Sequence, residues 1–170
     1  MSKQTPVDPI PHLRAVAEAL RQTGQPERTF TALDHALAAV VGHKLFTVLR
    51  YHESTGESER LYTTDPVAYP VGGRKPLNTT PWTQHVLREQ RPYLGRTPAD
   101  IRAVFFDHDL IASLGCGSVL NLPVVTGRRV LGTLNVLHEE RWYDASDVET
   151  GQVFAALAVP AYLWGADGKT

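Results

Sequence analysis

Apolar residues recur every three or four positions in two stretches near the start of the chain, residues 10–20 and 30–41. That spacing places the apolar side chains on one face of a helix. Gly24 and Pro26 separate the two stretches, and Gly42 follows the second, as is typical of residues that end helices. The pattern therefore predicts two amphipathic helices in succession.

Shorter segments rich in β-branched and aromatic residues predict strands. Residues 44–51 and 60–64 flank the polar turn 53–57, so we expect them to form a hairpin. Residues 118–125 and 129–137 flank a short Thr-Gly-Arg turn and predict a second hairpin.

The segment between the two hairpins is irregular. Residues 65–81 contain four prolines and two glycines and show no period, and a loop of this length inside a domain is uncommon unless it is functional or disordered. Two Thr-Pro pairs, at 80–81 and 97–98, each place a capping hydroxyl before a proline and predict the starts of two helices. We expect the second to run in pieces to residue 114, with a short strand at 91–95 between them.

The sequence Ser-Asp-Val-Glu at 146–149 is a capping-box pattern ahead of an apolar run, and it predicts a final helix. Pro160 should kink or shorten that helix. Residues 1–9 and 165–170 are polar, so we expect a flexible N-terminal arm and a polar tail around a single domain at 10–164.

Composition narrows the class of protein. A chain of 170 residues with 42% apolar and 21% charged residues is typical of one globular domain. Its 17 basic and 18 acidic residues give a net charge of -1, so we expect neither nucleic acid nor an anionic membrane as a partner. No apolar run approaches the roughly 18 residues of a membrane span, and the N-terminus lacks a signal-peptide core. With one cysteine in the chain, we expect a reducing, cytoplasmic setting.

The order of elements is helix, helix, hairpin, a loop region with short helices, hairpin, helix. It predicts an α+β fold, with an antiparallel sheet, helices on one side and the loop region on the other. This order, together with the block 114–138, resembles a GAF domain. The strand step Leu122-Pro123-Val124, the turn at Gly127 and the segment Leu131-Gly-Thr-Leu-Asn135 are similar to the C-terminal hairpin of that family. The resemblance covers roughly residues 28–163.

The resemblance implies a six-stranded antiparallel sheet whose terminal helices pack on one face and commonly make dimer contacts. The other face would enclose a pocket, and family members bind cyclic nucleotides, tetrapyrroles, haem or small metabolites. The domain usually reports to an attached output module in signal transduction. With no room for such a module here, we expect a stand-alone GAF protein that acts by itself, as a homodimer, or on an output protein in trans.

Asn121 and Asn135 are candidate ligand contacts, because asparagine is depleted from strands. They could project into a pocket as polar anchors, or they could form a cross-strand hydrogen-bonded pair or lie at surface positions. Thr133 shares a face with Asn135 by strand alternation.

Five further candidates come from the loop region. Arg74, beside a glycine pair, could balance the charge of an acidic ligand, although a solvated turn is the alternative. Trp82, Phe105 and Phe106 could wall a pocket and stack on a planar ligand, or could simply be core. Asp109 could be a single pocket carboxylate, or could be surface charge.

Candidate catalytic chemistry is sparse. Cys116 is expected to be a small buried residue, because both cysteine-based activities that the resemblance implies need a second thiol or a Cys-His pair. The seven histidines show no metal-ligand spacing, and no nucleophile-elbow motif is present. We therefore expect a non-catalytic, ligand-binding regulatory domain whose ligand or cofactor the sequence does not identify. The alternatives are an enzyme that uses the same pocket and an interaction module whose pocket has collapsed.

Overall fold

The computed structural model describes residues 6–164. The first five residues of the expected arm and the whole expected tail at 165–170 lie outside that range. Six strands occur among the described residues: β1 Leu45–His52, β2 Glu57–Thr63, β3 Gly72–Pro76, β4 Tyr93–Gly95, β5 Ser118–Thr126 and β6 Arg129–His138. The helices are α1 Ile10–Ala19, α2 Glu27–Val40, α3 Pro81–Thr83, α4 Pro98–Val104, α5 His108–Ser113 and α6 Ala145–Leu163, and a π-helical turn, Gln84–Arg88, continues α3.

The strands form one antiparallel sheet in the order β3-β2-β1-β6-β5-β4. Both predicted hairpins are present, and β1 of the first pairs with β6 of the second at the centre of the sheet. The α+β fold and the six-stranded antiparallel sheet are confirmed.

The segment 65–81 is not wholly irregular, because it contains the edge strand β3. All five residues of β3 are exposed, so its sequence, Gly-Gly-Arg-Lys-Pro, shows no apolar alternation. Backbone pairing to β2 forms this strand, and a proline can be accommodated at a sheet edge. An edge strand held in this way leaves no periodic signal in the sequence.

The terminal helices α1, α2 and α6 lie on one face of the sheet, which we call the helix face. The main core lies between these helices and the sheet. It includes Phe30 and Leu37 from α2, Phe154 from α6, and Leu122 and Leu134 from the sheet. These five side chains are at most 1% exposed, so their burial provides the largest hydrophobic contribution to the fold.

Helix α6 begins two residues earlier than its capping-box pattern predicts. The N-cap is Asp144, whose carboxylate accepts hydrogen bonds from the backbone amides of Ser146 and Asp147. The expected shortening at Pro160 is also wrong, because the helix continues to Leu163. Pro160 lies on the exposed side of the helix, so the carbonyl it leaves unbonded can be solvated.

The opposite face of the sheet, which we call the loop face, is covered by residues 65–69, α3 with its π-helical turn, α4 and α5. A second, smaller core lies there, with Leu45, Val119 and Leu137 of the sheet against Ile101 of α4 and Ile111 of α5. Within residues 6–164, no helix is both long and apolar enough to cross a membrane.

Candidate functional site

A row of polar side chains crosses five strands on the loop face. Thr63 of β2 is paired with Thr47 of β1, Thr47 with Asn135 of β6, Asn135 with Asn121 of β5, and Asn121 with Tyr93 of β4. Because side chains directly opposite each other in neighbouring strands share a face, all five point toward the loop region. We call these five residues the polar row.

The centre of the polar row is a directed chain of hydrogen bonds that begins at Trp82. The indole Nε1–H of Trp82 donates to Asn121 Oδ1 at 2.9 Å, Asn121 Nδ2 donates to Asn135 Oδ1 at 2.8 Å, and Asn135 Nδ2 donates to Thr47 Oγ1 at 3.2 Å. An indole can only donate, so its contact fixes the orientation of both amides. Thr47, Asn121 and Asn135 are 5%, 2% and 5% exposed, so these bonds offset the cost of burying the amides.

Helix α3 holds Trp82 above the sheet. Thr80 and Thr83 form a reciprocal capping box: the Thr80 hydroxyl accepts from the Thr83 amide at 3.1 Å, and the Thr83 hydroxyl accepts from the Thr80 amide at 2.8 Å. The Trp82 ring contacts Phe105 with centroids 6.2 Å apart. The π-helical turn that follows α3 is of a kind frequently found at functional sites.

Beside Trp82 the loop face has a small recess. Its volume is about 20 Å³, which is room for one water molecule. It is lined by Leu49, Arg50, Tyr51, Ser58, Leu77, Trp82, Leu87, Gly132 and Thr133. Trp82 and its neighbours therefore fill the place that a ligand on the polar row would take.

An arginine and a tyrosine cover the β2 end of the loop face. The Arg60 Cζ lies 4.9 Å from the centroid of the Tyr69 ring, and the Tyr69 hydroxyl donates to Asp107 Oδ2 at 2.7 Å. Burial lowers the pKa of Arg60, whereas Tyr69 and Asp107 oppose that shift. Burial and the hydrogen bond to Asp107 together raise the pKa of Tyr69. The Arg60 guanidinium and the Tyr69 ring therefore lie in contact, both partly removed from water, next to the polar row.

The structure brings five of the predicted ligand contacts together. Asn121 and Asn135 are buried and bonded to each other, which realises the cross-strand pair that the sequence left as an alternative. Thr133 is buried one row further along the same face, Trp82 lies beside it in the small recess, and Phe105 contacts the Trp82 ring.

Arg74, Phe106 and Asp109 lie apart from that group. Arg74 is on the edge strand β3, and its guanidinium lies 3.7 Å from Glu57 Oε2 and 3.9 Å from Glu59 Oε2. Glu59 is opposite Arg50, a position that faces the terminal helices, so Arg74 points away from the polar row. The Phe106 side chain is 89% exposed. The Asp109 carboxylate is 98% exposed and contacts His108 at 3.1 Å.

Sequence reasoning missed Thr47 and Arg60. Both lie in predicted strands, but only the pairing of β1 with β6 and β2 shows that they border Asn135 and Leu49 on the loop face. A signal was present in the parity of the strands, since Thr47 alternates with the buried Phe46 and Val48. The partner strand could not be identified from that parity alone.

Cys116 has the environment of a structural cysteine. It is 5% exposed, and burial raises the pKa of its thiol to about 11, although Lys44 opposes the shift. A thiol with that pKa is almost entirely protonated at neutral pH and is a poor nucleophile. Among the described residues, no group of three or more histidine, cysteine, aspartate or glutamate side chains is arranged to hold a metal ion.

Comparison with known proteins agrees with this architecture. The family model described as GAF domain matches residues 8–161. No curated protein matches the chain.

Solved structures share the fold at low identity. The GAF domain of a phosphoenolpyruvate-protein phosphotransferase from Coxiella burnetii superimposes with a TM-score of 0.75 at 16% identity, covering 94% of this chain and 96% of that one. The corresponding domain from Acinetobacter gives 0.74 at 12% identity, with 98% of each chain covered. A phycocyanobilin-bound GAF domain from a cyanobacterial phytochrome gives 0.73 at 17% identity, covering 98% of this chain and 100% of that one. At such identities the likeness shows the fold alone.

Proposed function

The chain belongs to the GAF domain family, and we propose that it is a non-catalytic sensory domain that binds a small molecule on the polar row. The observation that carries this proposal is the buried chain of amides closed by the Trp82 indole. Core positions on a sheet are ordinarily apolar, and two buried asparagines are costly unless each polar group is bonded. A ligand-recognition surface explains why such groups are placed there.

Trp82 is the side chain that a ligand would replace. Its side chain is only partly buried, and it belongs to the first turn of a short helical segment, so the indole can leave Asn121 while the buried Val86 of the following turn stays in place. A ligand that donates an N–H or O–H to Asn121 Oδ1 would keep the hydrogen-bond chain complete. We therefore infer a planar ligand of about indole size with at least one donor. Outward movement of α3 and of the preceding segment 65–80 would be the conformational signal.

A phycocyanobilin-bound relative shares this fold, so the fold can accommodate a ligand of that kind in that protein. In this chain the loop face holds a recess of about 20 Å³. Any ligand must therefore displace Trp82, and the size of the opening follows from how far α3 moves.

We propose that the domain is a homodimer. The outward side of α6 exposes Val153, Leu163 and Trp164 at 48%, 49% and 52%. Large apolar side chains exposed together on one helix indicate a surface that a partner covers. A second copy of the chain is the occupant we propose for this surface, and a trans-acting output protein would compete for it. A reducing, cytoplasmic setting completes the proposal and is supported by the single, buried Cys116 thiol.

A thermal-shift screen tests the ligand proposal. The panel contains cyclic nucleotides, amino acids, nucleobases, indole derivatives, short carboxylic acids and haem. A ligand at 100 times its dissociation constant should stabilise the protein by about 2.7 kcal/mol, which raises Tm by roughly 5–10 °C for a domain of this size. A hit that is lost in Thr133→Val, but kept in Phe106→Leu, whose residue is 89% exposed and lies apart from the polar row, supports the loop face beside the polar row as the site.

The second candidate is an interaction module with a collapsed pocket, and the small volume of the recess favours it. It predicts no stabilisation by any compound of the panel. The enzyme alternative gains no support from Cys116, because its buried thiol is protonated at neutral pH. A turnover that Cys116→Ser abolishes would restore that alternative.

A further inference from the structure

We propose that Arg60 binds an anionic group, a carboxylate or a phosphate, of the ligand that occupies the polar row. This inference rests on the proposed function and adds the charge of the ligand to it. It follows from the position of Arg60, from a guanidinium nitrogen that has no partner, and from the contrast with two other arginines.

Arg60 is on the loop face, beside the polar row. It pairs directly with Leu49, which pairs in turn with Thr133. Thr47 precedes Leu49 by two positions in β1 and therefore faces the same side of the sheet, although the register with β2 shifts between Val48 and Leu49. A ligand bonded to Asn135 and Thr133 would therefore extend toward the Arg60 guanidinium.

The Arg60 guanidinium has a hydrogen-bond donor that is not used within the described residues. Nη1 donates to the Pro70 carbonyl at 3.3 Å, and the face of the Tyr69 ring holds the Cζ at 4.9 Å. Nε is buried, and it has no hydrogen-bond partner within residues 6–164. A buried donor without a partner is destabilising, whereas an anionic oxygen would accept a short, charge-assisted bond from it.

Tyr69 acts here as a positioning residue. Its hydroxyl donates to Asp107 at 2.7 Å, so the ring is fixed over the guanidinium from the loop side. The Asp107 carboxylate that accepts this bond also acts on Arg60 through its charge, but the two form no direct ion pair among the described contacts. The Arg60 guanidinium therefore has no ion-pair partner of its own within residues 6–164.

Two other arginines show that the position is particular to Arg60. Arg50 also has a buried Nε without a partner, but it faces the terminal helices, where its Nη2 donates to the Tyr162 carbonyl at 2.9 Å. Arg74 is already beside Glu57 and Glu59 on that same side. Of the three, Arg60 is the one that faces the polar row, and Arg50 is its matched control.

Because the ligand is not identified, the test creates a cavity by removing the Trp82 side chain and measures which indole compounds bind in it. Trp82→Ala should open a space of indole size above Asn121, as removal of large side chains does in other cores. The probes are indole-3-acetate and indole-3-propionate, each paired with its neutral amide, with binding measured by isothermal titration calorimetry. We expect at least one acid to bind about 10- to 100-fold more tightly than its amide. The double variant Trp82→Ala with Arg60→Gln should lose that preference.

The outcomes separate the two proposals. Equal binding of acids and amides would leave the site on the polar row intact and overturn the role of Arg60, as would a preference that survives Arg60→Gln. Binding of none of the four probes would count against the site itself, and against Arg60 with it.

A second measurement uses the unaltered chain, so it tests the proposal even if the Trp82→Ala variants do not fold. In a ¹⁵N correlation spectrum of the arginine side chains, Arg60→Lys assigns the Arg60 Nε–H signal. Indole-3-acetate, which can take the place of the Trp82 indole, should shift that signal more than its neutral amide does and leave the Arg50 Nε–H signal in place. No shift, or an equal shift of both signals, would contradict the proposal.

Discussion

Replacing Trp82 by phenylalanine should destabilise the domain through a single lost hydrogen bond. Phenylalanine keeps a ring above the sheet but removes the Nε1–H that Asn121 Oδ1 accepts at 2.9 Å. Asn121 is 2% exposed, so water cannot readily replace the donor. An unsatisfied buried acceptor costs about 1–3 kcal/mol, which for a domain of this size lowers Tm by roughly 2–12 °C.

The two amides cannot escape this cost by turning over together. If both flipped, the Thr47 hydroxyl would donate to Asn135 Oδ1 and Asn135 Nδ2 would donate to Asn121 Oδ1. Asn121 Nδ2 would then face the phenylalanine ring without an acceptor. Either orientation leaves one buried polar group unpaired, so the penalty holds for both.

Urea unfolding followed by circular dichroism measures the effect, with Phe106→Leu as the control. Phe106 is 89% exposed and lies apart from the polar row, so its replacement should change the free energy of unfolding by less than 0.5 kcal/mol or so. A Trp82→Phe variant as stable as the Phe106→Leu variant would refute the hydrogen-bond chain as a stabilising unit.

Three further predictions concern other parts of the chain. Burial raises the pKa of Asp34, but hydrogen bonds with His43 and Tyr62 outweigh it and leave that pKa below its ordinary value. The ionised Asp34 carboxylate therefore stabilises the folded protein above the unfolded pKa of about 3.9, and this stabilisation is lost as the pH falls below that value. The free energy of unfolding in urea should depend less on pH, between about 5 and 3, in Asp34→Asn than in the unaltered chain. Cys116 should resist iodoacetamide at about pH 8 in the folded protein and react in urea, because burial raises its thiol pKa to about 11; rapid labelling without denaturant would contradict this. The proposed homodimer should give a dimeric mass in light scattering, and Val153→Glu should reduce that mass to the monomer's; a dimer that survives Val153→Glu would exclude α6 from the interface.

The fold could be predicted well because its strongest signals are local. The helices α1 and α2 have regular apolar periods, the hairpin strands are rich in β-branched and aromatic residues, and the Thr80 and Thr97 caps lie at the helix starts that their sequence predicts. The edge strand β3 has no period to detect. The cap of α6 is at Asp144 rather than Ser146, because Asp144 and Asp147 form the reciprocal capping box that the sequence also allows for Ser146 and Glu149.

The candidate site was predictable one residue at a time but not as a unit. Asn121 and Asn135 stand out in strands, and Trp82 stands out after a helix cap. Thr47 joins them through a hydrogen bond that spans 88 positions of sequence, because β1 pairs with β6, and no local pattern predicts that pairing. The register of β2 on β1 likewise places Arg60, rather than Arg74, beside the polar row.

The most direct test of the ligand site is the indole N–H signal of Trp82 in a ¹⁵N correlation spectrum, recorded with each stabilising compound of the screen. Trp142, whose Nε1–H donates to the Val41 carbonyl at 2.8 Å on the other side of the molecule, is the internal control. The account predicts that a stabilising ligand moves the Trp82 signal as the indole leaves Asn121, while the Trp142 signal stays in place. A ligand that stabilises the protein and leaves the Trp82 signal unmoved would contradict it.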